Sequence, residues 1–446
     1  MTTAESPAPG PDEPAAPVAN TPGRVDSVDV LRGLTILLMV FVNDLGAAAP
    51  SWLRHIEPPD ADGMTTADLV FPWFLFIVGV SIPLAFERAF ARGATTTGQV
   101  GHVLARTASL LALGVISNNA GSDQTLGGSW WEFLSFVAIL LAWSIPPKDP
   151  GPRRTTSLAL KGLGVAGLLV LLAIYRREPA DTSLLFYGPV EGWAWLRTGW
   201  WGILGLIGWA YLTAALLTLW PGRRREWLAG ATGSLILLHL AMQRGGLFEH
   251  VESKAWLGPI RPLLGMLERA VDAIGEYVDL GGATGSLAAI VLAGCLLGSI
   301  LRRDSDVASP RDRARWTLTF ALGLFVMGLV ADTFEGINKI GATPTWCLWS
   351  AALAGLLWLA LYLIIDVGGW RAWTIAVRPA GANPLIAYFL HPIVTTGLSL
   401  AGLWGPVLGY KDSESAGVVV AGSLAMALSV CALTGLLARA GLRVRL

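Results

Sequence analysis

Residues 52–79 read "WLRHIEPPDADGMTTADLVFPWFLFIVG". Residues 55–68 of this stretch gather His55, Glu57, Asp60, Asp62 and Asp68, the densest cluster of proton-handling side chains in the sequence, and an apolar wall follows at once. A helix that crosses a bilayer needs roughly 20 mostly apolar residues. The stretch from 67 to 87 supplies one. The fold is decided here: a polar loop set directly on a membrane-crossing helix.

Composition extends this reading to the whole chain. Of 446 residues 53% are hydrophobic and only 14% are charged, against about 25% in soluble domains. Many of the 20 Trp residues sit at the ends of apolar runs, and amphipathic rings favour the headgroup level. Lys plus Arg equals Asp plus Glu at 32 each, so net charge points to no nucleic-acid partner. Cys295, Cys347 and Cys431 all lie in apolar runs, which argues against a disulfide framework and a Cys-based metal site. No H-E-x-x-H, CxxC, P-loop or GxSxG pattern occurs, and no metal is expected.

Twelve segments qualify as spans: 29–49, 67–87, 100–117, 131–147, 157–175, 200–220, 227–243, 282–301, 315–331, 345–366, 382–404 and 415–438. The expected fold is all-α, a polytopic membrane bundle of about 11–12 transmembrane helices. Residues 1–23 are Pro- and Ala-rich without an apolar core. They read as a disordered tail, not a signal peptide, ahead of a single membrane domain over 24–446. With the N-terminus inside, 22 of the 32 basic side chains fall on the cytoplasmic side and 10 on the other. Both termini are therefore expected in the cytoplasm, with the loop that carries His55 facing away from it. Segment 244–281 has apolar residues at helical spacing, the pattern of an amphipathic helix on the membrane surface or of a lid over an external site. There is no internal repeat of the kind many transporters show.

Polar residues on the spans come next. Arg32 and Asn43 are eleven positions apart on the first span, about three helical turns, and share a face; Asp29 lies close to the same stripe. A charge near mid-span costs roughly 2.5–3.5 kcal/mol on insertion scales, so this stripe should face the bundle interior. Asp29 and Arg32 fit either a structural ion pair or a functional one, and Asn43 either an interhelical hydrogen bond or a functional contact. Asp68, in the first turn of the second span, fits capping alone as well as chemistry. Pro72 leaves the Asp68 carbonyl without its usual helical partner, and Gly79 lets another helix approach closely. The hairpin brings His55 to the same end as Asn43 and Asp68, and imidazole suits proton transfer near neutral pH. His239 and His391 lie inside spans; His391, with Tyr388, Pro392 and Thr395 around it, reads equally as a packed residue or as part of a conduit. His102 and His250 look like ordinary loop residues.

Together "VDSVDVLRGLTILLMVFVN" (25–43), "LRH" (53–55) and "GMTTADLVFPWFLFIVGVSIP" (63–83) resemble the opening of the heparan-α-glucosaminide N-acetyltransferase family. "WGILGLIGWAYL" (201–212), "GINKIGATPTW" (336–346), "YLIIDVGGWRAW" (362–373) and "GANPLIAYFLHP" (381–392) are similar to later family segments, in the same order. Where members of that family often read His-x-x-Trp-x-Gly-Leu-Thr, this chain has the longer, acidic "HIEPPDADGMT". The resemblance implies a transmembrane acyltransferase that takes an acetyl or acyl group from cytosolic acyl-CoA and gives it to an extracytoplasmic amino sugar or glycan. By motif position the active-site Asn and His fall on Asn43 and His55, and the Asp of the "ADLVFP" block on Asp68. His55 would be the base, Asn43 an oxyanion donor and Asp68 the group orienting His55. Arg32, Arg378 and Asn383 are the expected acyl-CoA contacts, and Asp44 and His391 the expected acceptor contacts. The other implied partner is the lipid bilayer, with a homodimer left open, and the implied location is a bacterial plasma membrane. The alternative is a transporter or flippase without covalent chemistry, since polar residues inside a membrane mark pathways by default. Against it, the polar groups concentrate at one outer end.

Overall fold

The computed structural model describes residues 25–178, 194–199, 201–219, 224–243 and 255–445. The expected tail, 1–23, and residues 244–254 of the amphipathic segment lie outside the described residues. A helix lies on each of the twelve expected spans. They are α1 (Asp26–Asp44), α2 (Thr66–Phe90), α3 (Thr96–Asn118), α4 (Gly128–Ala142), α5 (Pro152–Ile174), α6 (Gly202–Leu219) and α7 (Arg225–Gln243). After α8 (Arg261–Gly275) come α9 (Leu287–Ile300), α10 (Pro310–Asp332) and α11 (Pro344–Leu361). A five-residue helix, α12 (Arg378–Ala382), precedes α13 (Pro384–Leu400) and α14 (Ala416–Arg439). Among the described residues there are no strands, only the isolated bridges Ser144–Val444 and Arg177–Ala194.

Eight helices among the described residues are long and apolar enough to cross a membrane. The other four on expected spans fall short for physical reasons: α4 and α13 are shorter, and α1 and α7 carry more polar side chains. The outer helices α5 and α10 expose Leu163, Leu169, Val170, Leu322, Leu329 and Val330. An apolar band of that kind is a membrane contact rather than a water-facing surface. The chain is an integral membrane protein with an all-α, polytopic fold.

The centre of the bundle is α9, with every residue from Leu287 to Ile300 buried. Its sequence "LAAIVLAGCLLGSI" is uncharged all round, which suits a helix enclosed on every side. It packs against α2, α6, α7 and α11. Small residues set the contact with α2: a Cβ on Gly79 would lie 1.9 Å from the Val291 carbonyl oxygen, and one on Gly294 2.0 Å from that of Phe76. The two backbones therefore touch directly, as expected for Gly79. Gly33 plays the same part between α1 and α12, where an added Cβ would meet the Val377 carbonyl oxygen at 2.2 Å. At the bundle margin α8 buries no residue and exposes Leu263, Met266, Leu267 and Ile274 along one side. The helical spacing read in this segment is thus a helix with an exposed apolar side.

Candidate active site

The site is built from the loop between α1 and α2. Asp68 begins α2 and is 1% exposed, yet its carboxylate is fully engaged. Oδ1 lies 2.7 Å from His55 Nδ1. Oδ2 accepts from the backbone N–H of Ile56 (3.2 Å), the backbone N–H of Thr65 (3.1 Å) and the Thr65 hydroxyl (3.0 Å). A buried charge is tolerated only when it is paired and hydrogen-bonded in this way. Capping and orientation of His55 are therefore one arrangement, not competing readings of Asp68. Because an ionised carboxylate only accepts, it holds the imidazole with its proton on Nδ1. The other ring nitrogen, Nε2, then carries the lone pair a base needs.

A second loop, residues 333–343 between α10 and α11, closes on this pair. Lys339 Nζ lies 3.1 Å from His55 Nδ1 and 3.6 Å from Asp68 Oδ1. Burial lowers the pKa of the Lys339 ammonium, while the Asp68 carboxylate pulls it back up. The acidic loop 57–65 holds Lys339's loop in place. Asp62 Oδ1 accepts from Ile337 N–H (2.7 Å), Gly63 N–H donates to the Ile337 carbonyl (2.8 Å), and the Asn338 amide donates to the Pro59 carbonyl (2.9 Å). Glu57 and Asp60 remain exposed at the rim.

His55, Lys339 and Asn43 all line one cavity of about 310 Å³. Its walls follow helical faces: Thr35, Ile36, Met39, Val42 and Asn43 on α1, and Ala67, Val70, Phe71, Phe74 and Val78 on α2. From Ala67 to Val78 the cavity runs alongside α2 for about 16 Å at 1.5 Å per residue. At the opposite end Ala382, Pro384, Val444 and Arg445 form its lining. Asn43 is exposed to this space, and its side chain makes no hydrogen bond to another described residue. Its amide is free for a ligand.

The other expected site residues lie elsewhere. Asp44 and His391 are brought together, 3.0 Å apart, with the Lys411 ammonium 2.6 Å from Asp44 and the Tyr410 hydroxyl donating to it. This closed network ties α1, α13 and the loop before α14, outside the cavity lining. Burial and the neighbouring Asp44 carboxylate push the Tyr410 hydroxyl pKa up. Arg32 pairs with Asp29 at 3.1 Å and donates to the Ser81 hydroxyl (2.8 Å) and the Gly381 carbonyl (3.3 Å), one turn beyond the cavity residues of α1. Arg378 is 3.1 Å from Asp26. Asn383 sits between Ala382 and Pro384, both in the cavity wall.

Sequence reasoning missed Lys339 and Arg106 as site residues. Arg106 lines the cavity from within α3, with its guanidinium carbon 4.7 Å from the centre of the Tyr211 ring. The available signal was the arginine's interruption of an apolar span, since a mid-span charge is a functional candidate by default. No local signal marked Lys339. Buried His239 forms a separate network, 3.1 Å from Glu335 and 3.2 Å from the Ser286 hydroxyl, which in turn donates to the Ala342 carbonyl (2.6 Å). That network anchors both ends of the loop bearing Lys339. Among the described residues no group of three or more His, Cys, Asp or Glu side chains is disposed to hold a metal ion.

Fold and site define a polytopic helical membrane protein with a buried carboxylate paired to a half-exposed imidazole at one end of an intramembrane cavity. Residues 24–179 match the family model described as "Domain of unknown function (DUF5009)". The chain is homologous to the heparan-alpha-glucosaminide N-acetyltransferases of Mus musculus, at 27% identity, and Homo sapiens, at 26%. Each match covers 83% of this chain, and 54% and 53% of the two relatives. The chain thus spans about half the length of the curated relatives it matches.

Proposed function

We propose that the protein is a transmembrane acyltransferase that moves an acetyl or other acyl group from cytosolic acyl-CoA to the amino group of an extracytoplasmic amino sugar or glycan. The observation that carries this reading is the single cavity that joins His55 and Asn43 at one end to Val444 and Arg445 at the other. A charged acyl donor and an acceptor on the far side of a membrane never meet in bulk water. A cavity through the bundle lets only the thioester arm cross. The pantetheine arm has the backbone length of about four residues, roughly 14 Å extended, which suits the run of the cavity along α2. Homology to membrane N-acetyltransferases supports acyl transfer as the reaction class.

His55 Nε2 takes a proton from the acceptor amine as its nitrogen attacks the thioester carbonyl. The Asn43 amide donates to the oxygen on which charge develops. A C–N bond forms, the C–S bond breaks, and the imidazolium returns its proton to the departing thiolate. Asp68 holds the ring throughout. The membrane domain over 24–446 acts as one unit in this reading, in the plasma membrane of a bacterium. Asn383 borders the path of the arm. Recognition of phosphate by Arg32 or Arg378 requires their pairs with Asp29 and Asp26 to open.

The reaction is tested on detergent-purified protein given acetyl-CoA and an amino sugar such as glucosamine. Release of free thiol and gain of an acetyl group on the sugar are the expected results. Absence of both in active-site-intact protein would leave the transporter reading, which involves no thioester cleavage.

Two further results are expected. From the 22-to-10 distribution of basic residues, His55 is expected outside and both termini in the cytoplasm. Cys295, Cys347 and Cys431 are buried, so a cysteine introduced at Asp60 stands against a low background. It should react in intact cells with a membrane-impermeant maleimide. Reaction only after permeabilisation would reverse the topology. Lys339 closes on the pair, 3.1 Å from His55 Nδ1 and 3.6 Å from Asp68 Oδ1. Lys339→Met removes that cation and should lower the transfer rate, while Lys339→Arg should retain more of it. Equal rates in the parent and Lys339→Met would show that Lys339 does not act on His55.

A further inference from the structure

At the end of the bundle opposite His55, a cleft of about 1040 Å³ opens between the end of α4, the first turns of α5 and the segment that follows α14. Arg153, Arg154 and Arg439 line it, and Asp149 is the one acid among the lining residues described. Arg154 donates to the Lys148 carbonyl at 2.8 Å, whereas Arg153 and Arg439 form no ion pair with any described residue. The 23-residue helix α5 starts at this cleft with no acidic residue in its first turn, so its positive end adds to the attraction for an anion.

The cleft and the reaction cavity share a wall. Leu442 lines the cleft, and two residues further on Val444 and Arg445 line the cavity. The segment is pinned to the end of α4 by the Ile145 N–H, which donates to the Arg443 carbonyl at 2.8 Å, and by the Ser144–Val444 bridge. Two other basic clefts among the described residues at this end differ on both counts. One is neutralised from within, with Arg225 2.7 Å from Asp306 and Arg302 salt-bridged to Asp304. In the other, Arg371 lies 3.7 Å from Asp26 and Arg313 packs on the Tyr362 ring. Neither shares a lining segment with the cavity.

Resting on the acyl-CoA reading above, we propose that this cleft holds the nucleotide end of the donor, a phosphorylated adenosine diphosphate, with Arg153 and Arg439 on its phosphates. The arm then passes the 442–445 segment into the cavity toward Asn43. A guanidinium holds phosphate through paired charge-assisted hydrogen bonds, and the cleft is wide enough for a base and sugar as well as the anions.

The test compares CoA with pantetheine, which lacks the nucleotide, as ligands of the detergent-purified protein. Wild-type protein should bind CoA more tightly than pantetheine. In Arg153→Ala/Arg439→Ala the CoA affinity should fall about 10²-fold, roughly tenfold for each guanidinium removed, while pantetheine affinity stays within a factor of two. Both side chains are exposed, so folding is not at issue. Undiminished preference for CoA in the double variant would overturn the assignment. So would a double variant with unchanged CoA affinity that no longer retains phosphatidylglycerol in nanodiscs, since the cleft would then be a lipid-headgroup site. Wild-type protein that binds neither CoA nor pantetheine would remove the acyl-CoA reading itself, and this assignment with it.

Discussion

His55→Ala is expected to lower the acyl-transfer rate by about 10²–10⁴, the range for loss of a positioned general base, while CoA still binds. Among the described residues, His55 carries the only imidazole that lines the cavity, and a buried carboxylate holds it there. His391 is committed to Asp44, and His239 to Glu335 and Ser286. Near-normal transfer by the variant at saturating acceptor would place the base elsewhere. Asp68→Asn should do less harm, since an amide retains part of the cap and weakens only the hold on the ring.

Asn43→Ala is expected to cost up to about 10²–10³ in kcat, as for loss of one oxyanion donor, with little change in the affinity for CoA. The basis is geometric. The Asn43 amide faces the cavity with no partner among the described residues, whereas its neighbour Asp44 is wholly engaged. Asn43→Asp makes the sharper variant, because a carboxylate of the same shape repels the developing negative charge. It should be at least as damaging as Ala. Comparable rates for the parent and both variants would show that the oxyanion is held by another group.

The bundle was legible in the sequence because apolar length and the placement of charges survive without tertiary context. All twelve spans have their helices, and the α1 face carrying Arg32 and Asn43 does turn inward. The His55–Asp68 pairing was readable through the family resemblance, which set the base in the loop after the first span and its partner in the "ADLVFP" block, and the structure has the two 2.7 Å apart. Asp44 shows the limit. It is adjacent to Asn43 in sequence but turned about 100° around the helix, so it leaves the cavity and pairs with His391 instead. Lys339 comes from a loop some 280 residues away in sequence, and nothing local to "GINKIG" states that it will close on the imidazole. The acidic residues of 57–65 also carried two meanings: Asp62 is spent on a backbone donor of the second loop, whereas Glu57 and Asp60 are exposed at the rim without a bond to that loop.

Arg106 has a consequence for the cell and not only for the proposed reaction. A cavity lined from both ends of a membrane protein threatens the ion gradients on which the membrane's energy storage depends. A fixed positive charge along such a path, held over the Tyr211 ring, is an electrostatic barrier to protons and metal cations, as arginines are in water-selective pores. The same charge does not oppose a neutral thioester arm and favours an anionic ligand. The arginine that interrupts the third span would thus let an acyl group cross while the membrane potential is kept.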